Sequence, residues 1–129
     1  MKKILLTGAA GFIGFHLVKK LIDFNFEIIG LDNINNYYSI KLKYDRLKQL
    51  GINKTDVKKK LLVNSELFNN FSFVKADIAD NKFIINFMKD HQFNYVINLA
   101  AQAGVRYSLE NPFAYVKSNV SGFLSILEG

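Results

Sequence analysis

Short apolar runs alternate with stretches whose apolar residues recur every three or four positions, and this alternation extends along the chain. Lys2 to Thr7 is an apolar run ending in a glycine-rich turn. Phe12, Phe15, Leu17, Val18, Leu21 and Ile22 then fall at mostly helical spacing between Phe12 and Phe24. Glu27 to Asp32 is a second run, too short for a helix and closing on an acid, so the first third reads as a βαβ unit. From Asn33 to Asn70 the chain is more polar. Leu42, Leu47 and Leu50, then Val57, Leu61, Leu62 and Leu67, predict two surface helices split near Gly51-Ile52-Asn53. Phe71 to Ala76 predicts a third strand, and Asp80 can cap a helix through Asp90 with Phe83, Ile84, Phe87 and Met88 facing inward. Asn94 to Ala100 predicts a fourth strand, continuously apolar like a parallel strand covered on both faces. After a loop, Asn111-Pro112 supplies a cap and a proline at the first helical position for a helix running through Phe123 and Leu127 to the last residue.

Strand and helix in this order predict an α/β fold: a Rossmann-type, doubly wound parallel sheet with helices on both faces. About four strands are expected, in the order 3-2-1-4, with the sheet incomplete beyond strand four and an apolar edge left exposed there. Length and a 50% apolar content predict one domain over residues 1–129.

Composition narrows the function classes. With no cysteine, disulfides, thiolate metal sites and a cysteine nucleophile are excluded, and a cytoplasmic address is expected. Met1-Lys2-Lys3 before Ile4, Leu5 and Leu6 could open a signal peptide. However, Thr7 and Gly8 interrupt the run, and no stretch reaches the ~18 consecutive apolar residues of a membrane span. The formal charge of +6 comes from scattered lysines, and the densest run, Lys58-Lys59-Lys60, reads as the solvated face of a helix rather than a nucleic-acid site. No nucleic acid, membrane or metal partner is expected, and a mild positive field suits an anionic small substrate.

Chemistry concentrates where strands end. Gly8-Ala9-Ala10-Gly11-Phe12-Ile13-Gly14 lies between the first strand and the first helix. Glycines there permit the tight turn, the approach of a pyrophosphate to the backbone and close packing of helix on strand, while the helix N-terminus supplies amides. The spacing is G-x-x-G-x-x-G rather than G-x-G-x-x-G, and a turn serving packing alone is the alternative. Asp32 ends strand two, 18 positions past Gly14, where a carboxylate would bond the adenosine ribose hydroxyls and repel a 2′-phosphate. That favours NAD over NADP, with a turn-capping carboxylate as the alternative. Asp77 after strand three and the residues from Asn98 to Ala101 after strand four also sit at carboxyl ends of strands, where ligands bind in such sheets.

The segment Asn98-Leu99-Ala100-Ala101-Gln102-Ala103-Gly104-Val105-Arg106, continuing through Asn111-Pro112 to Leu124, closely resembles bacterial UDP-glucuronate 4-epimerases of the extended short-chain dehydrogenase/reductase superfamily. Gly30-Leu31-Asp32-Asn33-Ile34-Asn35-Asn36-Tyr37-Tyr38 resembles them too, and only about Gly51 to Asn70 looks variable. The resemblance implies NAD held by Gly8, Gly11, Phe12, Ile13, Gly14, Asp32 and Asn33, with Asp77 and Ile78 toward adenine. It places Leu99, Ala100 and Ala101 on the nicotinamide side, Asn119 as a cofactor contact, and Gln102 and Arg106 beside the sugar nucleotide. Arginine suits a phosphate or carboxylate, although a surface arginine is the alternative for Arg106.

The implied reaction is transient oxidation at C4 of a UDP-sugar, with a tyrosinate as base and NAD regenerated each cycle. The family draws that tyrosine from a Tyr-x-x-x-Lys motif expected beyond Gly129, so no catalytic residue is assigned within the chain. Tyr37 to Lys41 and Tyr44 to Lys48 match the pattern but follow strand two and read as chance occurrences in a lysine-rich helix. His16 and His91 lie far apart and read as structural or surface residues. Other readings are a nucleotide-sugar dehydratase or decarboxylase, and a non-catalytic NAD-binding module. A homodimer of the full-length form is left open, and a surface-polysaccharide pathway is what the resemblance implies.

Overall fold

In the computed structural model, which describes residues 1–102 and 105–129, the first apolar run is strand β1 (Lys2–Thr7) and the helical stretch after it is α1 (Phe12–Ile22). Ala103 and Gly104 of the segment carrying the resemblance lie outside the described residues. Strand β2 (Phe26–Asp32) pairs in parallel with β1, Ile4 opposite Ile28 and Thr7 opposite Leu31. Strand β4 (Phe71–Lys75) pairs in parallel with β2, and β5 (Tyr95–Asn98) in parallel with the other side of β1. The four predicted strands thus lie in the predicted order. Chain direction reverses its progress across the sheet between β1 and β5, the position where doubly wound sheets open a crevice.

A fifth strand was not predicted. Strand β3 (Leu62–Asn64) runs antiparallel to β4 at the edge of the sheet, giving the order β3-β4-β2-β1-β5. It corrects the second of the two surface helices expected between Asn33 and Asn70. The first helix exists as α2 (Ile40–Gln49), with Ser39 Oγ accepting from the Leu42 amide. Beyond it the backbone bonds elsewhere. The Lys60 amide donates to Lys75 O at 2.8 Å, and Ser65 Oγ bonds Leu50 O at 2.7 Å while accepting from the amides of Leu67 and Phe68. Leu61, Leu62 and Leu67, which carried the helical pattern, are exposed. The free edge of β4 offered a better set of backbone partners than a helix would have. Lys58-Lys59-Lys60 is correspondingly exposed but not helical.

The described residues form two compact units, Met1–Ala76 with Phe93–Leu99, and Asp77–Gln92 with Ala100–Gly129. The first contains the whole sheet with α1 and α2. Successive residues of a strand point to opposite faces, and Ile4, Leu5 and Leu6, like Ile28 and Ile29, are all buried, so both faces of the central strands are covered. Phe71, Phe73, Leu47, Leu50 and Ile52 fill the rest of that core. The expectation that the fourth strand is covered on both faces is corrected at β5. Tyr95 and Val96 are exposed, because β5 is a sheet edge with a neighbour on one side only.

In the second unit, Asp80 caps α3 (Asn81–His91) as predicted, its carboxylate accepting from the Phe83 amide, and Ile84, Phe87 and Met88 are buried. The expected loop after β5 holds a helix, α4 (Val105–Glu110). Asn111 then caps α5 (Pro112–Tyr115), accepting from the Ala114 amide at 3.3 Å. The long helix expected from there is continuous but not uniform. A π-helical turn, Val116–Ser121, separates α5 from α6 (Gly122–Glu128). Buried Ser125 bonds the Asn81 side chain and ties α6 to α3.

One side chain links three elements of the sheet unit. Asn70 Nδ2 donates to Ile22 O at 3.0 Å and Phe26 O at 3.1 Å, joining the end of α1 and the start of β2 to the turn that enters β4. Replacing Asn70 with alanine leaves both carbonyls without this donor. We expect a loss of about 1–2 kcal/mol, read as a lower midpoint in urea unfolding with an unchanged slope.

Candidate functional site

The turn after β1 is built from contacts that only glycine permits. Gly8 takes a φ of 75°, and its amide and that of Ala9 donate to Leu31 O at 2.8 and 3.2 Å, which ties the turn to the neighbouring strand. A Cβ on Gly14 would lie 2.0 Å from Gly8 O, so α1 packs directly on the turn it follows. Gly11 caps α1 without any side-chain bond, while Phe12 and Ile13 beside it are exposed. The first helical turn therefore presents its amides without a side-chain cap, next to a backbone that can be approached closely.

Asp32 closes the turn from β2. It is buried, its Oδ2 accepts from the Ala10 amide at 3.1 Å, and its Oδ1 accepts from the Ile34 amide at 2.9 Å. Ile34 is itself in the left-handed region at φ 52°, a costly conformation for a β-branched residue. Two successive bonds hold it there: Asp32 to Ile34, and Asn33 Oδ1 to the Asn35 amide at 3.1 Å. Asp32 and Asn33 thus act together on one strained turn.

Two cations on α2 complete this region, and neither was singled out in the sequence. Arg46 Nη1 donates to Ala10 O at 3.0 Å, and Lys43 Nζ donates to both Asn35 O and Asn35 Oδ1 at 2.8 Å. The signal was present in the pattern. Lys43 falls four positions before Leu47 and seven before Leu50, on the stripe of α2 that is otherwise buried core. Burial pushes the Asp32 carboxyl above the ordinary carboxylate range, against the lowering effect of the Ile34 amide, the Lys43 charge, the Ala10 amide and the Arg46 charge. Burial likewise pushes the Lys43 ammonium down, with the Asp32 charge opposing.

The C-terminal ends of β1, β2 and β5 share one edge of the sheet, since all three are parallel. At β5, the Asn98 side chain bonds the Thr7 hydroxyl, and the exposed Leu99 donates its amide to Thr7 O at 3.2 Å. In the other unit, Asp77 Oδ1 accepts from the Ala79 amide at 2.9 Å and Oδ2 faces Lys117 Nζ at 3.5 Å, with Ile78 buried beside it. Asn119 lies in the π-helical turn, and its carboxamide bonds the Gln102 backbone twice. Oδ1 accepts from the Gln102 amide at 2.7 Å and Nδ2 donates to Gln102 O at 3.1 Å. Gln102 is buried and Arg106, in the first turn of α4, is exposed. Ala100 is half-buried and Ala101 exposed.

The two Tyr-x-x-x-Lys matches lie where the sequence put them, before and within α2. Exposed Lys41 pairs with Asp45 at 3.0 Å, and the Tyr44 ring faces Lys54 Nζ at 5.1 Å. His16 packs between Phe12 and Phe15, each ring 5.1 Å away, and His91 lies 4.3 Å from the Phe87 ring. Among the described residues no group of three or more His, Cys, Asp or Glu could hold a metal ion, and no helix is long and apolar enough to cross a membrane.

Residues 5–129 match a protein family described as GDP-mannose 4,6 dehydratase. The chain is 48% identical to Protein CapI of Staphylococcus aureus over 126 residues, covering 98% of this chain and 33% of that protein. It is 42% identical to UDP-glucuronate 4-epimerase 4 of Arabidopsis thaliana over 125 residues, covering 97% and 25% respectively. Among solved structures, a variant UDP-glucuronic acid 4-epimerase from Bacillus cereus was crystallised with UDP-4-deoxy-4-fluoro-glucuronic acid and NAD. That structure is 31% identical with a TM-score of 0.76, over 98% of this chain and 35% of that one. The chain therefore spans a quarter to a third of the length of these relatives.

The buried carboxylate sets a pH dependence with a definite sign. The folded-state pKa of Asp32 lies above its ordinary 3.8, so the folded chain holds that proton more tightly than the unfolded chain. The Asp32 contribution to stability therefore falls as pH rises from 3.8 through the raised value and is level above it. Wild type should lose stability relative to Asp32→Asn across that window, with a slope of at most about 1.4 kcal/mol per pH unit. Thermal or urea unfolding of both proteins at stepped pH measures the difference, and a difference independent of pH would refute the assignment.

Proposed function

The chain belongs to the GDP-mannose 4,6-dehydratase family, and on that premise we propose that it binds NAD as the cofactor-holding part of a UDP-glucuronate 4-epimerase. The reaction is interconversion of UDP-glucuronate and UDP-galacturonate through transient oxidation at C4. The observation that carries the cofactor assignment is the contact of Gly14 with Gly8 O, in a turn whose next residues are gripped by Asp32. A cradle that excludes even a Cβ suits a pyrophosphate brought against Gly8, Gly11, Phe12, Ile13 and Gly14. Asp32 and Asn33 at the end of β2 suit the adenosine ribose. NAD supplies the hydride acceptor for C4 oxidation when bound.

The remaining roles follow the family resemblance. Asp77 and Ile78 are assigned to adenine, Leu99, Ala100 and Ala101 to the nicotinamide side, and Gln102 and Arg106 to the sugar nucleotide. Asn119 is assigned to the cofactor, and its carboxamide also holds both backbone groups of Gln102. Arg106 is exposed in the first turn of α4, and its guanidinium suits a carboxylate or phosphate. Likeness to the Arabidopsis and Bacillus cereus epimerases supports UDP-glucuronate as substrate. A nucleotide-sugar substrate and a chain without cysteine suit the cytoplasm. We assign the catalytic base to neither Tyr37 nor Tyr44, because both follow β2 at the end of the sheet we give to adenosine.

A dehydratase is the second reading, favoured by the description of the matching family. It is separated from the first by its product, a 4-keto-6-deoxy sugar in place of an epimer.

Calorimetric titration of the chain with NAD is expected to give saturable one-to-one binding. Gly14→Ala should weaken it roughly tenfold to a hundredfold, since the forced displacement costs about 1–3 kcal/mol. Absence of binding by the folded wild-type chain would overturn the cofactor assignment. Residues 1–129 alone should leave UDP-glucuronate unchanged, whereas the longer polypeptide of an epimerase should yield UDP-galacturonate on anion-exchange chromatography. Turnover by residues 1–129 would show that the base lies within them.

A further inference from the structure

Helix α2 reaches both turns of the proposed cofactor site through hydrogen bonds from its own side chains. Arg46 Nη1 donates to Ala10 O at 3.0 Å, in the turn after β1. Ala10 is buried, so its carbonyl depends on that donor as its amide depends on Asp32. Lys43 Nζ donates to Asn35 O and Asn35 Oδ1, both at 2.8 Å, in the turn after β2. The Asn35 amide is already committed to Asn33 Oδ1, so the residue after strained Ile34 is held through its amide, its carbonyl and its side chain. Lys43 and Arg46 are three positions apart and lie on one face of the helix. Leu47, fully buried, seats that helix in the core. Lys43 is itself buried, an expensive place for an ammonium and one that a solvated lysine has no reason to take.

We infer that Arg46 and Lys43 are positioning residues for the dinucleotide, acting through Ala10 and Asn35 to hold the two turns that receive it in their binding geometry. This inference rests on the proposed NAD site and adds a helix to the two strand ends that form it. Each turn alone has little to fix it. Gly8, Gly11 and Gly14 leave the first turn free of side chains that could brace it, and the second carries a β-branched residue at a φ of 52°. A charged donor from a helix anchored in the core supplies the missing constraint at both, and a site held in advance loses less on binding. Without Arg46 or Lys43 the turns sample other arrangements, and NAD must order them as it binds.

The test is calorimetric titration with NAD of wild type, Arg46→Met, Lys43→Met and, as a control on the same helix, Lys41→Met, each confirmed folded by circular dichroism. Arg46→Met and Lys43→Met should each weaken NAD about threefold to thirtyfold. Lys41→Met removes an exposed ion pair with Asp45 and touches neither turn, so its affinity should stay within about twofold of wild type. If Arg46→Met fails to fold, Arg46→Lys, which keeps a charged donor, carries the test with a smaller loss. Amide hydrogen exchange without NAD separates positioning from general destabilisation. Arg46→Met should speed exchange at Ala10, and Lys43→Met at Ile34 and Asn35, by more than at Phe73 in the sheet core. Folded variants that bind NAD as wild type does overturn the inference and leave the NAD assignment standing. A loss that Lys41→Met reproduces, or exchange that quickens equally at the turns and at Phe73, also overturns it. A wild-type chain that does not bind NAD overturns the NAD assignment and the inference with it.

Discussion

A buried carboxylate joins the two central strands of the sheet at their functional ends. Asp32 ends β2, yet its oxygens bond Ala10 after β1 and Ile34 in the following turn, so one side chain sets the separation of two loops. Removing a carboxylate from water is costly, and the effective penalty in proteins is several kcal/mol. Two amide donors and two nearby cations offset part of it, and burial still raises the Asp32 pKa. The strain of Ile34 at positive φ adds to what the surrounding structure must hold in place. Such an arrangement is poorly suited to stability alone. It orients a charge at a strand end, as the proposed recognition of a ribose diol requires.

The glycine turn supplies the complementary half. Gly14 is packed on Gly8 O so closely that α1 begins almost on top of β1, and Ala10 is held through its amide by Asp32 and through its carbonyl by Arg46. Backbone close packing and side-chain clamping thus act on the same seven residues. Pre-organisation of this kind lowers the ordering cost of binding. The helix α2 carries residues that these turns depend on, Arg46 at Ala10 and Lys43 at Asn35.

Features set by local rules were legible in the amino-acid sequence. The runs Lys2 to Thr7, Glu27 to Asp32, Phe71 to Ala76 and Asn94 to Ala100, the Asp80 and Asn111 caps and the Gly8 to Gly14 turn all follow from spacing and residue type, and the four strands, α1 and α3 formed within a residue or two of their expected bounds. Elements set by long-range pairing were not. Leu61, Leu62 and Leu67 fall at helical spacing, but β3 forms because β4 has a free edge, a fact absent from the local pattern. α4 hides in a segment whose only regular signal is six residues long. The π-helical turn around Asn119 places its carboxamide on Gln102, 17 positions away, and periodicity carries no trace of such a bond. Lys43 and Arg46 were overlooked for a different reason. A lysine-rich helix is usually a solvated one, and only the position of Lys43 on the Leu47 and Leu50 stripe marks it as inward.

Net charge and local charge do separate work in this chain. A formal +6 favours anions in general and cannot tell one from another. Discrimination must come from charges fixed at a few ångströms and shielded from water, where a single carboxylate outweighs a diffuse field. Asp32 meets both conditions, being buried and bonded through both oxygens. Its neighbours Lys43 and Arg46 carry the opposite sign and offset part of the effect of its burial. Both lie on α2. The helix that reads as surface in the sequence therefore helps hold the turns at the strand ends.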